Sequence, residues 1–275
     1  MPPTAYRGRR AVAVENAQLR VTLLVEGGHV AEILDKRTGI NPLWTPQWPS
    51  IEPSAFSPGH HALYGAGADG KLLAGIMGHN LCLDIFGGPS ADEFAAGLTA
   101  HGEGAVVPYQ IEETAGGLLA RADFPMARLS FARLITLEGA TVRFVETVVN
   151  LTECDRPVGW TQHVTLGAPF LKAGVTEFRA SASSSQVFDG VFGPADYLKA
   201  GGIFDWPMAP RADGGAANDD HFVRKGVENR FDIAAGEDEP AEHHAQEDYQ
   251  ADNCKHAVPR EFLVPQELLG TPASP

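Results

Sequence analysis

The stretch RLSFARLITLEGATVRFVETVVNL, residues 128–151, decides the fold. Apolar and polar residues alternate on both sides of Gly139-Ala140, which is the period of a half-buried β-strand. The residues that share the apolar face of each predicted strand are Leu129, Phe131, Ile135 and Leu137 on the first and Val142, Phe144 and Val148 on the second. The sequence therefore predicts an antiparallel hairpin with a two-residue turn at Gly139-Ala140.

Each strand of this hairpin carries one charged residue on its apolar face. If Gly139-Ala140 is the turn, Arg133 lies directly opposite Glu146. Opposite charges that face each other across a half-buried ladder form a cross-strand ion pair. The alternative is a slipped register in which both side chains reach solvent. Either arrangement is structural rather than catalytic.

The segments around the hairpin also have the character of strands. They are rich in branched and aromatic residues, and turn residues bound them. These segments are 18–25, 28–35, 104–114, 117–124 and 157–167. The 30 glycines and 20 prolines make up about 18% of the 275 residues, against about 12% in average usage. Because strands follow one another without helices between them, the chain is predicted to be all-β and antiparallel.

Two segments depart from this strand pattern: one short predicted helix and one acidic segment near the end of the chain. Ser90 and Glu93 have the spacing of a capping box, and Phe94 to Leu98 complete the predicted helix. Residues 212–256 hold twelve acidic against four basic residues and little strand pattern. We therefore expect a β-sandwich domain over 1–211, followed by an acidic, poorly patterned extension over 212–275.

The charge and the cysteines exclude several classes of protein. A net charge of −14 without a basic cluster argues against binding to nucleic acid or to an anionic membrane surface. No apolar run approaches the roughly 18 residues of a membrane span. The three cysteines, Cys82, Cys154 and Cys254, are too far apart to predict a disulfide framework or a zinc site. A cytoplasmic location is expected, and the sequence makes no prediction for the oligomeric state.

The histidines are the residues in which chemistry is expected. No standard metal-ligand spacing, nucleotide-binding glycine motif or nucleophile elbow occurs, so neither a metal nor a cofactor is predicted. His163 lies between Thr161 and Thr165 on one face of a predicted strand, where it lines a pocket or is a hydrogen-bonded strand residue. His101 precedes Gly102, where a turn directs it into a cleft or leaves it as a loop histidine.

Taken in order, several motifs resemble those of the aldose 1-epimerase family, the galactose mutarotase-like proteins. The resemblance covers residues 11–210. The motifs are Asn16-x-x-Leu19-x-Val21-Thr22-x-x-x-x-Gly27-Gly28-x-Val30, then Leu34-Asp35-Lys36-x-Thr38-Gly39, Leu43-Trp44, His101-Gly102, Glu146-x-x-x-Asn150-Leu151, and His163 with Leu166-Gly167. Residues 78–90 differ from the better-known sugar mutarotases and are more similar to a divergent branch.

The resemblance implies a β-supersandwich with a concave sugar-binding face and no cofactor. His163 matches the histidine that gives a proton to the sugar ring oxygen, and His101 matches the one that holds the sugar near that oxygen. Ring opening needs an acid and a base on opposite sides of one bond, and an imidazole suits the acid role near neutral pH. A small neutral sugar is thus the expected ligand.

Three further residues are predicted to contact the sugar, and one role stays unassigned. His79-Asn80 is the expected substitute for an arginine that several mutarotases place before the His-Gly motif, and His79 is the residue predicted to contact the sugar. Trp160 offers an aromatic wall, and Asp205 either contacts sugar hydroxyls or is a turn residue before Pro207. The family's base is a late glutamate, for which Glu261 and Glu267 are candidates outside any recognisable motif.

Three functions follow from this pattern. The first is an aldose 1-epimerase-like isomerase with His163 as the acid. The second is a non-catalytic carbohydrate-binding protein on the same scaffold. The third is a truncated or diverged homologue without sugar chemistry. A carboxylate that faces His163 would favour the first, and an aromatic-walled cleft without one would favour the second.

Overall fold

The computed structural model describes residues 4–179, 183–190 and 197–218, and the backbone of 261–269. Within these ranges the regular elements are mostly short antiparallel strands. The strands are β1 (Thr4–Tyr6), β2 (Arg9–Glu15), β3 (Leu19–Leu24), β4 (Val30–Asp35), β5 (His79–Leu83), β6 (Gln110–Thr114), β7 (Gly117–Phe124), β8 (Leu129–Glu138), β9 (Thr141–Asn150), β10 (Trp160–Val164), β11 (Ser184–Gln186), β12 (Ile203–Asp205), β13 (Met208–Pro210), β14 (Ala216–Asn218) and β15 (Glu261–Leu269); the α-helices are α1 (Gly70–Gly75) and α2 (Ala91–Ala95). The predicted all-β antiparallel class is confirmed.

The described residues fall into two compact units. The first holds two sheets, one in the order β1-β2-β3-β4-β5-β10 and one in the order β15-β9-β8-β7-β6. The second unit, which begins at Leu171, holds the two-stranded sheets β11-β12 and β13-β14. Neither α-helix of the described part has the length or the apolar run that crossing a membrane requires.

Apolar side chains from both large sheets form one core. Their alternation along each strand turns one face of each sheet toward the other, so the first unit is a sandwich. The buried members are Leu19, Val21, Leu23, Val30, Leu81 and Leu83 on the first sheet and Leu118, Ala120, Ala122, Phe124, Leu129, Phe131, Ile135, Val142, Phe144 and Val148 on the second.

The predicted hairpin has the predicted register. β8 pairs with β9 from Leu129 opposite Asn150 to Glu138 opposite Thr141, which places Arg133 opposite Glu146. The ion pair is confirmed: Arg133 Nε lies 2.6 Å from Glu146 Oε1, and the two side chains are 1% and 2% exposed. The alternative of a slipped, solvent-exposed pair is therefore wrong.

A hydrogen-bond network surrounds this ion pair and joins the two sheets. Arg133 also donates to the Gly28 carbonyl at 3.2 Å and to Gln162 Oε1 at 3.3 Å. Glu146 Oε2 accepts from Gln162 Nε2 and, at 3.2 Å, from Trp160 Nε1. Because every charged atom of the pair has a partner, the cost of burying it is offset. The network fixes β10 against the opposite sheet.

The Gly27-Gly28 motif is explained by the close packing at the turn between β3 and β4. Gly28 has φ +56°, and a Cβ placed there would lie 2.5 Å from the ring of Tyr109. Glycine adopts this backbone conformation without strain, and the absence of a Cβ leaves room for that ring. The same residue's carbonyl receives Arg133, so the turn is part of the contact between the sheets.

Some element boundaries differ from the predicted ones. The predicted strand 104–114 is a strand only over β6, because the amides of Val106 and Val107 bond to the Glu103 carbonyl in a turn. The capping box is confirmed, with Ser90 and Glu93 bonded reciprocally at the start of α2, although the helix ends at Ala95. β15 pairs with β9 in a part of the chain where no strand was predicted.

Cys82 is a buried free thiol, whereas Cys154 takes part in a disulfide bond that the cysteine spacing did not predict.

Candidate functional site

His163 is held on the face of β10 that points away from the core. β10 pairs with β5 so that His163 lies opposite Asn80. Its Nδ1 lies 2.9 Å from Asn80 Oδ1, and Asn80 is fully buried. The Nδ2 of Asn80 is directed to the sulfur of Cys82, 3.7 Å away. The orientation of the His163 ring is therefore set by a buried partner on the neighbouring strand.

His101 lies in a turn with an uncommon backbone conformation. Its φ is +65°, and that of Gly102 is +78°. The His101 amide donates to the Gly87 carbonyl at 2.9 Å, and its Nδ1 accepts from the Gly87 amide at 3.0 Å. Left-handed residues other than glycine cluster at functional sites, where surrounding contacts hold them in place. Here the two bonds to Gly87 hold both the backbone and the ring.

The glycine of the His-Gly motif is required by the packing of this turn. A Cβ on Gly102 would lie 2.7 Å from the Leu83 carbonyl oxygen and 3.1 Å from the side chain of Ile85. The positive φ adds to this steric requirement. Gly102 thus lets the turn approach the end of β5, and this approach brings His101 close to His163.

The structure brings together two of the five predicted site residues. The His101 and His163 rings have their centroids 5.4 Å apart and are tilted by 43°. Phe86 stacks on His101 at 4.9 Å and lies 6.2 Å from His163. Phe86 is 53% exposed, so the pair of imidazoles has an open aromatic neighbour. Phe86 was not among the predicted site residues, and Asn80 was named only together with His79 as the expected substitute for an arginine.

The electrostatic environment keeps His101 neutral. Burial, followed by the neighbouring His163, lowers the pKa of His101 to about 4, against an opposing effect of Asp69. A neutral imidazole whose Nδ1 accepts a hydrogen bond carries its proton on Nε2. At neutral pH His101 is therefore a hydrogen-bond donor and not a proton donor.

His79 and Trp160 lie on the opposite side of the same sheet. His79 is 1% exposed, and its Nε2 donates to Gln162 Oε1 at 2.6 Å. Its ring meets Phe144 edge-on at 5.8 Å. The indole of Trp160 donates to Glu146 inside the sandwich. The structure does not bring these two side chains to the His101–His163 pair, and their role in sugar binding stays a prediction.

The remaining predicted residues lie on β12 and β15. Asp205 is the exposed last residue of β12 in the second unit, directly before the turn at Trp206-Pro207. Glu261 and Glu267 lie on β15 opposite Val149 and Arg143 of β9. In the described ranges, no group of three or more His, Cys, Asp or Glu side chains could hold a metal ion.

Two buried histidines give the first unit a pH-dependent stability. Burial lowers the pKa of both His29 and His79 to about 3. Their Nδ1 atoms have no hydrogen-bond partner among the described residues. The unfolded chain binds protons at these sites below about pH 6.5, whereas the folded chain does not, so stability is present above that pH and is lost as the pH falls toward 3.

We expect the free energy of unfolding to be about 3 kcal/mol lower at pH 5.5 than at pH 7.5 from these two histidines together. Urea denaturation at both pH values measures the difference. His29→Gln should remove about half of it, because one of the two proton-binding sites is gone. The matched control is His60→Gln at an exposed histidine, which should leave the difference unchanged. A difference that His29→Gln does not reduce would contradict this account.

Comparison with known proteins gives matches in structure alone. No protein-family model and no curated protein sequence matches the chain. Similar solved structures include a galactose mutarotase-like protein from Lactobacillus casei ATCC 334 (12% identity, TM-score 0.48, covering 74% of this chain and 70% of that one), a galactose mutarotase related enzyme from Lactobacillus acidophilus (12%, 0.44, 78% and 65%) and the Slr1438 protein from Synechocystis sp. PCC 6803 (17%, 0.42, 75% and 66%). The chain spans about two thirds of the length of these neighbours. Two of the three carry the name of the group that the sequence motifs resemble.

Proposed function

We propose that the protein is an aldose 1-epimerase-like isomerase that interconverts the anomers of a neutral sugar. The observation that supports this most is the pair formed by His101 and His163, two histidines from different parts of the chain with rings 5.4 Å apart. A hydrogen bond at Nδ1 orients each ring. The Nδ1 of His101 accepts from the Gly87 amide, and the Nδ1 of His163 donates to Asn80 Oδ1. A pair of oriented imidazoles provides proton transfer and hydrogen bonding at one locus.

The proposed reaction opens and recloses the sugar ring. The Nε2–H of protonated His163 gives its proton to the ring oxygen as the bond between that oxygen and the anomeric carbon breaks. A carboxylate takes the proton of the anomeric hydroxyl, and the aldehyde forms. The carbon bearing the aldehyde rotates, and the reverse proton transfers close the ring on the other face. His101, neutral at pH 7, donates a hydrogen bond from Nε2 to a sugar oxygen.

Asp69 is the carboxylate we assign to the base role. The Ala100 amide donates to the Ala68 carbonyl at 3.1 Å, which brings together the two segments that carry His101 and Asp69. Asp69 raises the pKa of His101 electrostatically. Its side chain is exposed and makes no capping hydrogen bond to α1. This carboxylate is thus available to a ligand that contacts His101.

Exposed Phe86 favours one alternative, a carbohydrate-binding protein without catalysis. An aromatic ring that is 53% exposed beside a hydrogen-bond donor has the features of a sugar-binding surface. In this alternative His101 and Phe86 hold the sugar, and His163 transfers no proton.

Anomer interconversion of galactose and glucose, followed by proton exchange NMR, tests the proposal. We expect the protein to accelerate interconversion over buffer, and we expect Asp69→Asn to slow it by about 100-fold or more, in the range of general base catalysis. Asp92→Asn, at an exposed carboxylate of α2, is the matched control and should keep the full rate. Sugar binding without acceleration in a folded sample would establish the binding protein, and a lack of both would contradict both functions.

A further inference from the structure

We propose that Asn80 is a positioning residue that fixes His163 in the tautomer opposite to that of His101. His101 then presents a donor at Nε2, and neutral His163 presents an acceptor at Nε2. The tautomers are a property of the chain without ligand. Their catalytic meaning rests on the proposed function.

The tautomer of His101 follows from a backbone donor. The Gly87 amide has only a hydrogen to offer, and it points to His101 Nδ1 at 3.0 Å. That nitrogen must therefore carry a lone pair, and the ring proton is on Nε2.

The tautomer of His163 follows from the amide of Asn80. Asn80 is 0% exposed, so its polar atoms depend on partners within the protein. Its Nδ2, which can only donate, is directed to the Cys82 sulfur. Its Oδ1 therefore faces His163 Nδ1 at 2.9 Å and accepts that nitrogen's proton. A buried acceptor left without this donor would lose a hydrogen bond worth about 1–3 kcal/mol, so the Nδ1–H form is favoured.

The opposite tautomers divide the roles of the two rings. Because Asn80 holds the proton of Nδ1, His163 gives and regains a proton at Nε2 alone. The nitrogen that donates to the ring oxygen on opening is then the one that takes the proton back on closing. Asn80 is a neutral amide, so it fixes the tautomer of His163 without adding a charge. A carboxylate in its place would put a negative charge beside the imidazolium.

Nitrogen NMR of the imidazoles tests the assignment on the full chain without sugar. In a ¹⁵N-histidine sample at pH 8, we expect Nδ1 of His163 to carry the proton and Nε2 to be unprotonated, with the reverse in His101. Spectra of His163→Gln and His101→Gln assign the two rings. In Asn80→Leu the proton of His163 should move largely to Nε2, while His101 stays unchanged and reports that the local fold is kept. Asn80→Asp retains an acceptor and should keep Nδ1 protonated.

Two results would overturn the proposal. One is wild-type His163 with an unprotonated Nδ1. The other is Asn80→Leu with His101 unchanged and His163 still protonated at Nδ1. If Asn80→Leu does not fold, the wild-type and Asn80→Asp spectra decide. In the exchange assay, Asn80→Leu should lower kcat more than it changes KM. If the wild type has no such activity, the proposed function fails and the tautomers can still be confirmed.

Discussion

Glu146→Gln lowers the free energy of unfolding by about 3–5 kcal/mol, the expected cost of leaving one member of a buried ion pair uncompensated. Arg133 cannot lose its proton to escape this cost, and its side chain is 1% exposed. The midpoint and slope of a urea denaturation curve measure the loss. The slope should stay constant, since the substitution does not change the surface area that becomes exposed on unfolding.

A second ion pair on the same sheet is a matched control. Arg121 and Glu112 connect β7 and β6 at 3.2 Å, but their side chains are 51% and 63% exposed. Glu112→Gln should therefore cost no more than about 1 kcal/mol. Equal losses in the two variants would show that burial of the Arg133–Glu146 pair does not determine its contribution.

His163→Ala slows anomer interconversion by about 100- to 10,000-fold, the range that one general acid contributes. The loss should fall on kcat, because the sugar is held mainly by His101 and Phe86 in the proposed complex. His60→Ala, at an exposed histidine outside the pair, should keep the full rate. An unchanged rate in folded His163→Ala would remove this histidine from the mechanism, even if the protein is an isomerase.

The hairpin could be predicted because its evidence is local. Period-two alternation, a two-residue turn and one charge on each apolar face all specify the same register in β8 and β9. The capping box at Ser90 was predictable for the same reason. The register of the hairpin and the start of the helix depend on residues that are close in the sequence. Contacts with distant parts of the chain therefore change them little.

The site was harder to predict because β5 is buried on both faces. All five of its residues are buried, so the sequence HNLCL does not show which side faces the core. His79 therefore appeared as a site residue, whereas Asn80 is the one beside His163. Along β10 the alternation of side chains places Trp160 and His163 on opposite faces, so these two residues cannot contact one ligand from the same strand.

The buried ion pair also affects the stability of non-native hairpins in which β8 and β9 pair in a shifted register. A hairpin shifted by two residues would keep its apolar residues on the correct face, so hydrophobic burial alone would tolerate it. In such a hairpin Arg133 would face Phe144 or Val148, and Glu146 would face Phe131 or Ile135. The two charges would then be diagonal rather than directly opposite, and the buried contact of Arg133 Nε with Glu146 Oε1 at 2.6 Å would be lost. Burying two charges in this poorer geometry costs more than misplacing a methyl group. The two charges thus favour the native alignment of β8 and β9 over an alignment shifted by two residues.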